Sequence, residues 1–238
     1  MPPPDAASPP APAARKTKTI IDLSQPLSPA GGSYCTGHPR FACEQICNVA
    51  AHGSNVSQLT LGSHTGTHVD APRHFFAGAP GVGALDPARL VGRAVAVDVR
   101  GRADRAVIAW DALAPHEARF RPGVIVLLCT GWAQYWGTER YAASPGLDVE
   151  AARRLGACGV DVIGIDTLSP DGIPREGEEA CYDVHLEVLG RGGAIVENLR
   201  GLEEVLGIEE LVVSFLPLRM EECDGSPIRA VAWAAGEV

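Results

Sequence analysis

No apolar run in this 238-residue chain approaches the ~20 residues that span a bilayer. Met1 to Ala14 is rich in Pro and Ala and has no apolar core segment, so a secretory signal is not expected. Basic charge is in deficit: the net charge of −9 argues against nucleic acid or an anionic membrane as partner. There is no Gly-x-Ser-x-Gly elbow, which excludes a serine hydrolase of the α/β-hydrolase type. There is no His-Glu-x-x-His, so a zinc-protease helix is absent. Gly190-Arg191-Gly192-Gly193 does not complete a dinucleotide fingerprint, and no Gly-Lys-Ser/Thr phosphate loop occurs.

What remains is a chain with 46% hydrophobic residues, long enough for one sizeable globular domain. Residues 1–18 read as a disordered Pro/Ala-rich tail and residues 19–238 as the folded domain. Seven cysteines is an odd number, which points to reduced thiols and a cytoplasmic setting. Cys43-x3-Cys47 followed by His52 lacks a second pair at zinc-finger spacing, so these cysteines read as buried or half-buried.

Three of the seven histidines fall within residues 64–74, in Ser63-His64-Thr65-Gly66-Thr67-His68-Val69-Asp70-Ala71-Pro72-Arg73-His74-Phe75-Phe76. Imidazole and carboxylate are ligands for divalent transition metals. A fully extended strand, at ~3.3 Å per residue, would hold His64 and His68 about 13 Å apart, close to the limit for sharing one ion. A helix would join them but turn Asp70 away, and Gly66, Val69 and Pro72 oppose a helix. An irregular chain bent at Gly66 gathers His64, His68 and Asp70, while Pro72 ends the bend and aims His74 separately.

This run, His64-x-Gly66-Thr67-His68-x-Asp70-x-Pro72-x-His74-Phe75, resembles the signature of the cyclase-like metal-dependent hydrolases, a family that includes the bacterial type of kynurenine formamidase and isatin hydrolase. The resemblance extends from about residue 19 to the C-terminus. It takes in Asp22-Leu23-Ser24, Thr130-Gly131-Trp132, and the Gly-x-Asp-x-x-Ser-x-Asp element from Gly164 to Asp171.

The elements read in order as follows. Thr19 to Ser24 is a short strand and Pro26 to Phe41 a loop. Asn55 to Gly62 is a strand whose end delivers His64. Asp86 to Leu90 is a turn plus a short helix, and Arg93 to Val99 a strand. Trp110 to Phe120 reads as helical, although Pro115 weakens the pattern. The apolar run Gly123 to Cys129 is a buried central strand. Trp132, Tyr135, Trp136 and Tyr141 form either an aromatic wall for a planar substrate or ordinary core. Asp148 to Cys158 is a helix with Leu147, Val149, Ala152 and Leu155 inward, and Val160 to Asp166 the next strand. Tyr182 to Leu189 is a helix stopped by glycines, and Ala194 to Val196 a strand reaching Glu197. Leu202 to Leu206 is a short helix; Leu211 to Leu216 and Ile228 to Trp233 complete the sheet.

The resemblance implies an α/β fold of the swivelling β/β/α type: three layers around a mixed, partly barrel-like sheet. It implies that His185 and Glu197, twelve residues apart across the glycine turn, form a second ligand pair with His64, His68 and Asp70. Carboxylates of the Gly164–Asp171 element would orient the site from behind the ligands. The implied activity is hydrolysis of a carbon–nitrogen bond in a small amide, formamide or lactam by metal-activated water, with zinc or manganese as cofactor and His74 as proton shuttle. The early loop sits over the site in the family, and Tyr34 and Phe75 are expected to touch substrate. The family usually forms dimers or tetramers. The loop Tyr34 to Phe41 departs from formamidase members, which motivates a second reading, a metal-dependent dehydratase or cyclase in biosynthesis.

Overall fold

A computed structural model describes residues 19–32, 35, 37–175 and 177–237. The expected tail at residues 1–18, and Tyr34, lie outside the described residues. Among the described residues no helix is long and apolar enough to cross a membrane.

The chain forms strands β1 (Ile21–Asp22), β2 (Ala42–Cys47), β3 (Val56–Thr60), β4 (His68–Asp70), β5 (Val91–Asp98), β6 (Val107–Ile108), β7 (Ile125–Cys129), β8 (Gly146–Leu147), β9 (Val162–Ile165), β10 (Ala194–Glu197), β11 (Leu211–Ser214), β12 (Gly225–Pro227) and β13 (Val231–Ala234). Nine of them make one mixed sheet in the order β1-β13-β11-β5-β7-β9-β10-β4-β12. Its centre, β5-β7-β9-β10, is parallel, and both flanks are antiparallel. The sheet curls into a half-barrel, as expected for the fold class.

Alternation of side chains along the central strands builds two cores. Ala94 and Ala96, Ile125 and Leu127, Val162, Ala194 and Val196 pack on one face with Val69, Leu199, Leu202 and Phe215. Val95 and Val97, Val126 and Leu128, Ile163, Ile165 and Ile195 pack on the other. There they meet the buried stripes of α2 (Val149–Ala157), namely Ala151, Ala152 and Leu155, and of α3 (Asp183–Gly190), namely Val184, Val188 and Leu189. Strands buried on both faces read as unbroken apolar runs, and Ile125 to Cys129 is buried throughout.

Several expectations need correction. Trp110 to Phe120 is two 3-10 turns, Trp110–Ala112 and Ala114–Arg119, because Pro115 removes the donor an α-helix would use there. Leu202–Val205 is likewise 3-10. The strand before His64 exists, but β3 pairs only with β2 in a separate hairpin whose residues are almost all exposed, so the core anchor for the histidine run is β4. Cys43 on that hairpin is exposed and Cys47 half-buried. His52 closes the short helix α1 (Val49–His52), and its Nδ1 accepts from the Asn48 amide. Trp132, Tyr141 and Leu168 form a small core with Tyr135 and Trp136; packing, rather than a substrate wall, is what these rings do.

One close approach sets the geometry between α3 and β10. A Cβ on Gly193 would lie 2.5 Å from the Asp161 carbonyl oxygen and 2.6 Å from that of Val188. Both obstacles are backbone, so Gly193→Ala must push the helix off the strand. The expected cost is about 1–3 kcal/mol, a fall in Tm of ~2–4 °C per kcal/mol, readable by calorimetry.

Candidate metal centre

β4 carries His68 and Asp70 two residues apart, on one face, with Val69 buried in the opposite core. β10 runs antiparallel to it, pairing Glu197 with His68 and Ile195 with Asp70. The same alternation that sends Val196 into one core therefore sends Glu197 to the face of His68 and Asp70, the face on which α3 packs and brings His185.

The bend before β4 is held by long-range bonds. Gly66 has φ +65°, the left-handed region that favours glycine. The Thr67 hydroxyl donates to the Asn198 carbonyl at 2.6 Å and accepts from the Gln25 amide at 2.8 Å. Asn198 Nδ2 donates to the Gly66 carbonyl at 3.0 Å. That carbonyl also lies 2.8 Å from His68 Nδ1, so Nδ1–H donates to it and Nε2 is the nitrogen turned toward Asp70 and Glu197.

His185 is fixed by Asp171 on the loop after β9. The Asp171 carboxylate accepts from the amides of Val184 (2.8 Å) and His185 (3.2 Å), capping α3, and stands 2.5 Å from His185 Nδ1. The expectation that a carboxylate of the Gly164–Asp171 element orients the site holds for Asp171. Asp166 instead accepts from the amides of Thr130 and Gly131 and from the Thr130 hydroxyl. It ties β9 to β7, and its proximity to Cys129 and Glu203 is accounted for by those bonds.

At the centre the donor atoms converge. His68 Nε2 is 3.2 Å from Asp70 Oδ1 and 3.2 Å from Glu197 Oε2. His185 Nε2 is 3.2 Å from Glu197 Oε1 and 3.6 Å from Asp70 Oδ2. Yet His68 Nε2, Asp70 Oδ2 and Glu197 Oε1 are buried and make no hydrogen bond among the described residues. These atoms are close to one another but not aimed at one another. Buried polar atoms without partners are rare in folded proteins, and imidazole nitrogens and carboxylate oxygens directed at a common point suit a divalent cation.

His64 and His74 stand beside this core. His64 Nδ1 is 2.7 Å from Asp70 Oδ1. Pro72 was expected to aim His74 separately from the cluster; instead the His74 ring lies against His64. Residues Pro72–His74 form a 3-10 turn that stacks the His74 ring on His64, centroids 3.9 Å apart and 31° between planes. Two groups with metal-ligating spacing result, His64–Asp70–His74 and His68–Asp70–Glu197, sharing Asp70. Asp224, unremarked in the sequence reading, stands 3.0 Å from His64 Nε2 and 3.4 Å from His74 Nδ1 through Oδ2.

The titration behaviour follows from burial opposed by opposite charge. Burial pulls the His68 pKa down, but the Asp70 and Glu197 carboxylates outweigh it and lift it to about 10. His185 is raised in the same way by Asp171, Asp70 and Glu197 against its burial. Burial lowers His74, with Asp70 opposing and His64 and His185 reinforcing, so it falls below 6.5 and is neutral at pH 7. Burial raises the Cys35 thiol to about 12, with Glu197 and Asp70 adding to it, which leaves it inert.

The centre opens into a cavity of about 510 Å³. Its apolar wall comes from Phe75, Leu168, Ile173 and Pro174, with Tyr182 and His38 at its lining. Phe75 stacks 4.8 Å from His185 and 5.1 Å from Tyr182 by ring centroids. His38 lies 5.9 Å from the His64 ring, so this loop histidine faces the site although it is exposed.

A model of the Cyclase family matches residues 21–172. The chain belongs to the Cyclase family. A relative in sequence, the kynurenine formamidase of Delftia acidovorans (strain DSM 14801 / SPH-1), is 31% identical over 218 residues, 90% of this chain and 97% of the relative. Among solved structures, isatin hydrolase A from Ralstonia solanacearum superposes with a TM-score of 0.81 at 25% identity, over 91% of this chain and 92% of that one. A structure described as a predicted metal-dependent hydrolase from Bacillus stearothermophilus gives a TM-score of 0.69 at 24% identity, over 91% and 98%. The half-barrel of this Cyclase-family chain is thus shared with its neighbours over nearly its whole length.

The raised His68 pKa fixes a sign for stability without metal. The folded value, about 10, exceeds the ordinary 6.5. Its contribution is fully present below pH 6.5 and is lost as pH rises toward 10. The Tm of chelator-treated protein should therefore fall across that interval. Added divalent metal should reverse the trend, because cation binding requires neutral imidazoles. Differential scanning calorimetry at several pH values, with and without metal, checks both.

Proposed function

We propose that the chain is a metal-dependent hydrolase that cleaves a carbon–nitrogen bond in a small amide, formamide or lactam, with His64, His68, Asp70, His185 and Glu197 as metal ligands and His74 as proton shuttle. The observation that carries this reading is the set of buried donor atoms left without hydrogen bonds among the described residues, at a cavity with one apolar wall. The relative named a kynurenine formamidase and the neighbour named an isatin hydrolase support the bond type. Zinc and manganese both accept imidazole and carboxylate donors, and we assign the cofactor to one of these two. Asp70 belongs to both candidate ligand groups.

Bound among these side chains, a divalent cation lowers the pKa of water from ~15.7 to about 7 and polarises a carbonyl oxygen. The chain supplies the rest. His74, neutral at pH 7, accepts the proton of the attacking water. As the carbon–oxygen bond forms and the carbon–nitrogen bond breaks, it returns that proton to the leaving nitrogen. Phe75 offers a face to a planar group, while Leu168, Ile173 and Pro174 exclude water and strengthen the electrostatics within. Loss of water in place of its addition, the dehydratase or cyclase reading, is not favoured beside relatives named for hydrolysis.

The exposed hairpin supports a homo-oligomer. Ile46, Val49, Val56 and Leu59 on β2, α1 and β3 are 51%, 60%, 44% and 56% exposed. A lone two-stranded hairpin is marginal in water, and an apolar patch on one marks an interface. We assign the partner as a second copy, giving a dimer or tetramer, and the compartment as cytoplasm, where seven unpaired thiols remain reduced. Light scattering should report a multiple of the 24.9 kDa chain mass, and Leu59→Asp should reduce it to the monomer; a monomeric wild type would refute the assignment.

Turnover decides the function. Chelation should abolish activity on an aryl formamide or a lactam, and readdition of zinc or manganese should restore it. The product should be heavier than the substrate by one water in the lactam case. His74→Ala should lower kcat about 10²–10⁴-fold with metal content unchanged by elemental analysis. Loss of metal with His74→Ala would make it a ligand, and full activity would end its role as shuttle.

A further inference from the structure

His68, His185 and His64 each carry one ring nitrogen toward Asp70 or Glu197, and in each the other nitrogen is held from behind. For His68 the holder is the Gly66 carbonyl, 2.8 Å from Nδ1. For His185 it is Asp171, 2.5 Å from Nδ1. For His64, whose Nδ1 faces Asp70, the holder is Asp224, 3.0 Å from Nε2. Such outer partners fix the tautomer and the ring plane of a ligating imidazole. Asp224 differs from the other two in that the same oxygen, Oδ2, also lies 3.4 Å from Nδ1 of His74, and its side chain is 39% exposed.

The backbone around Asp224 is built to hold it there. The Asp224 carbonyl accepts from the Ala71 amide at 2.9 Å, and the next residue, Gly225, pairs with Asp70 in the sheet. A Cβ on Gly225 would lie 2.6 Å from Cε1 of His64, so only glycine lets this strand run so close beneath the ring. On the far side, Gly81 and Gly83 would place a Cβ 2.4 Å and 2.6 Å from the carbonyl oxygens of Cys223 and Met220. The turn that carries Asp224 is thus clamped between the histidine run and the following loop.

We propose that Asp224 is a positioning residue that couples His64 to His74. Its carboxylate takes the Nε2–H of His64, leaving Nδ1 for the metal, and the Nδ1–H of His74, leaving Nε2 to face the substrate. A single carboxylate thereby sets the tautomers of a ligand and of the proton shuttle together. The inference rests on the assignment of His64 and His74 above and adds to it a residue 150 positions from His74, since 224 minus 74 is 150.

Asp224→Asn tests this in the full-length protein. Asparagine keeps the shape but cannot accept from both rings through a shared anionic oxygen. Competition with a chromogenic chelator for zinc should show affinity weakened about 10–100-fold. With metal saturating, kcat on an aryl formamide should fall by at least about tenfold while KM changes little, the mark of a group that acts in the transition state. Asp224→Glu, which retains the charge, should recover part of both losses; a merely structural role would not rank Glu above Asn by charge. In a double-mutant cycle, Asn at 224 should cost little further kcat once His74 is alanine. Zinc affinity and kcat both within about twofold of wild type, or fully additive losses in the cycle, would overturn the proposal. If Asp224→Asn does not fold by circular dichroism, Asp224→Glu and Asp224→Ser carry the same comparison. Should the wild type turn over no amide or lactam, the functional reading fails, while the zinc-affinity arm still decides whether Asp224 positions His64.

Discussion

Two carboxylates buried side by side are the constraint from which the architecture of this site follows. Asp70 is fully buried and Glu197 nearly so, and each makes the other harder to ionise. Taking one carboxylate out of water is expensive without a counter-charge, and a pair doubles the difficulty. The fold meets this with His68 and His185, which hold both carboxyls below their ordinary range against the effect of burial. Positive charge must be present at this spot for the fold to tolerate it, whether as protonated imidazole or as a cation. A protonated imidazole and a bound cation would meet the same electrostatic need at this spot, so the two would exclude each other.

The rigidity of the centre comes from sequence-distant partners. His68 is held by Gly66, Gly66 by Asn198, and Asn198 by the buried Tyr141 hydroxyl at 3.0 Å. His185 is held by Asp171, which also caps the helix that carries it. A catalytic constellation needs such support behind each ligand to stay within a fraction of an ångström of its working geometry. The aromatic cluster of Trp132, Trp136 and Tyr141 therefore serves the site after all, at one remove: it packs Tyr141 so that its hydroxyl meets Asn198.

What the sequence made legible was local. His64, His68 and Asp70 lie within seven residues, and a glycine between them shows where the chain must bend, so their gathering follows from spacing alone. His185 and Glu197 were visible through the resemblance, because helix, glycine turn and strand preserve their separation. Asp224 was not visible. It sits in Glu221-Glu222-Cys223-Asp224-Gly225, which reads as a polar turn, and its partners are far away in the chain. Close approach of Gly225 to a ring leaves no periodic trace, and only the sheet register reveals it. The 3-10 turns at Trp110–Ala112 and Ala114–Arg119 were misread for the opposite reason: apolar spacing was helical, but Pro115 made the local backbone tighter. Pro72 in the sequence suggests an end to the bend that sends His74 elsewhere, but proline at the start of a 3-10 turn begins a new one that folds His74 back onto His64.

The position of the centre in the sheet has a topological cause. β7, β9 and β10 are parallel, and at or just past their carboxyl ends stand Thr130-Gly131, Asp166 to Asp171, and Glu197-Asn198. In open α/β sheets that edge is where polar groups gather, because the helices lie against the faces and leave the strand ends free. β4 runs the other way, so its amino end, His68, arrives at the same edge as the carboxyl end of β10. A parallel strand in that place would have set its first residue at the far edge and dispersed these side chains. The reversal of direction at β10–β4 is therefore the step that gathers these histidines and carboxylates at one sheet edge. In chain order β4 precedes the parallel strands, and β12, the last strand but one, returns to pair against it.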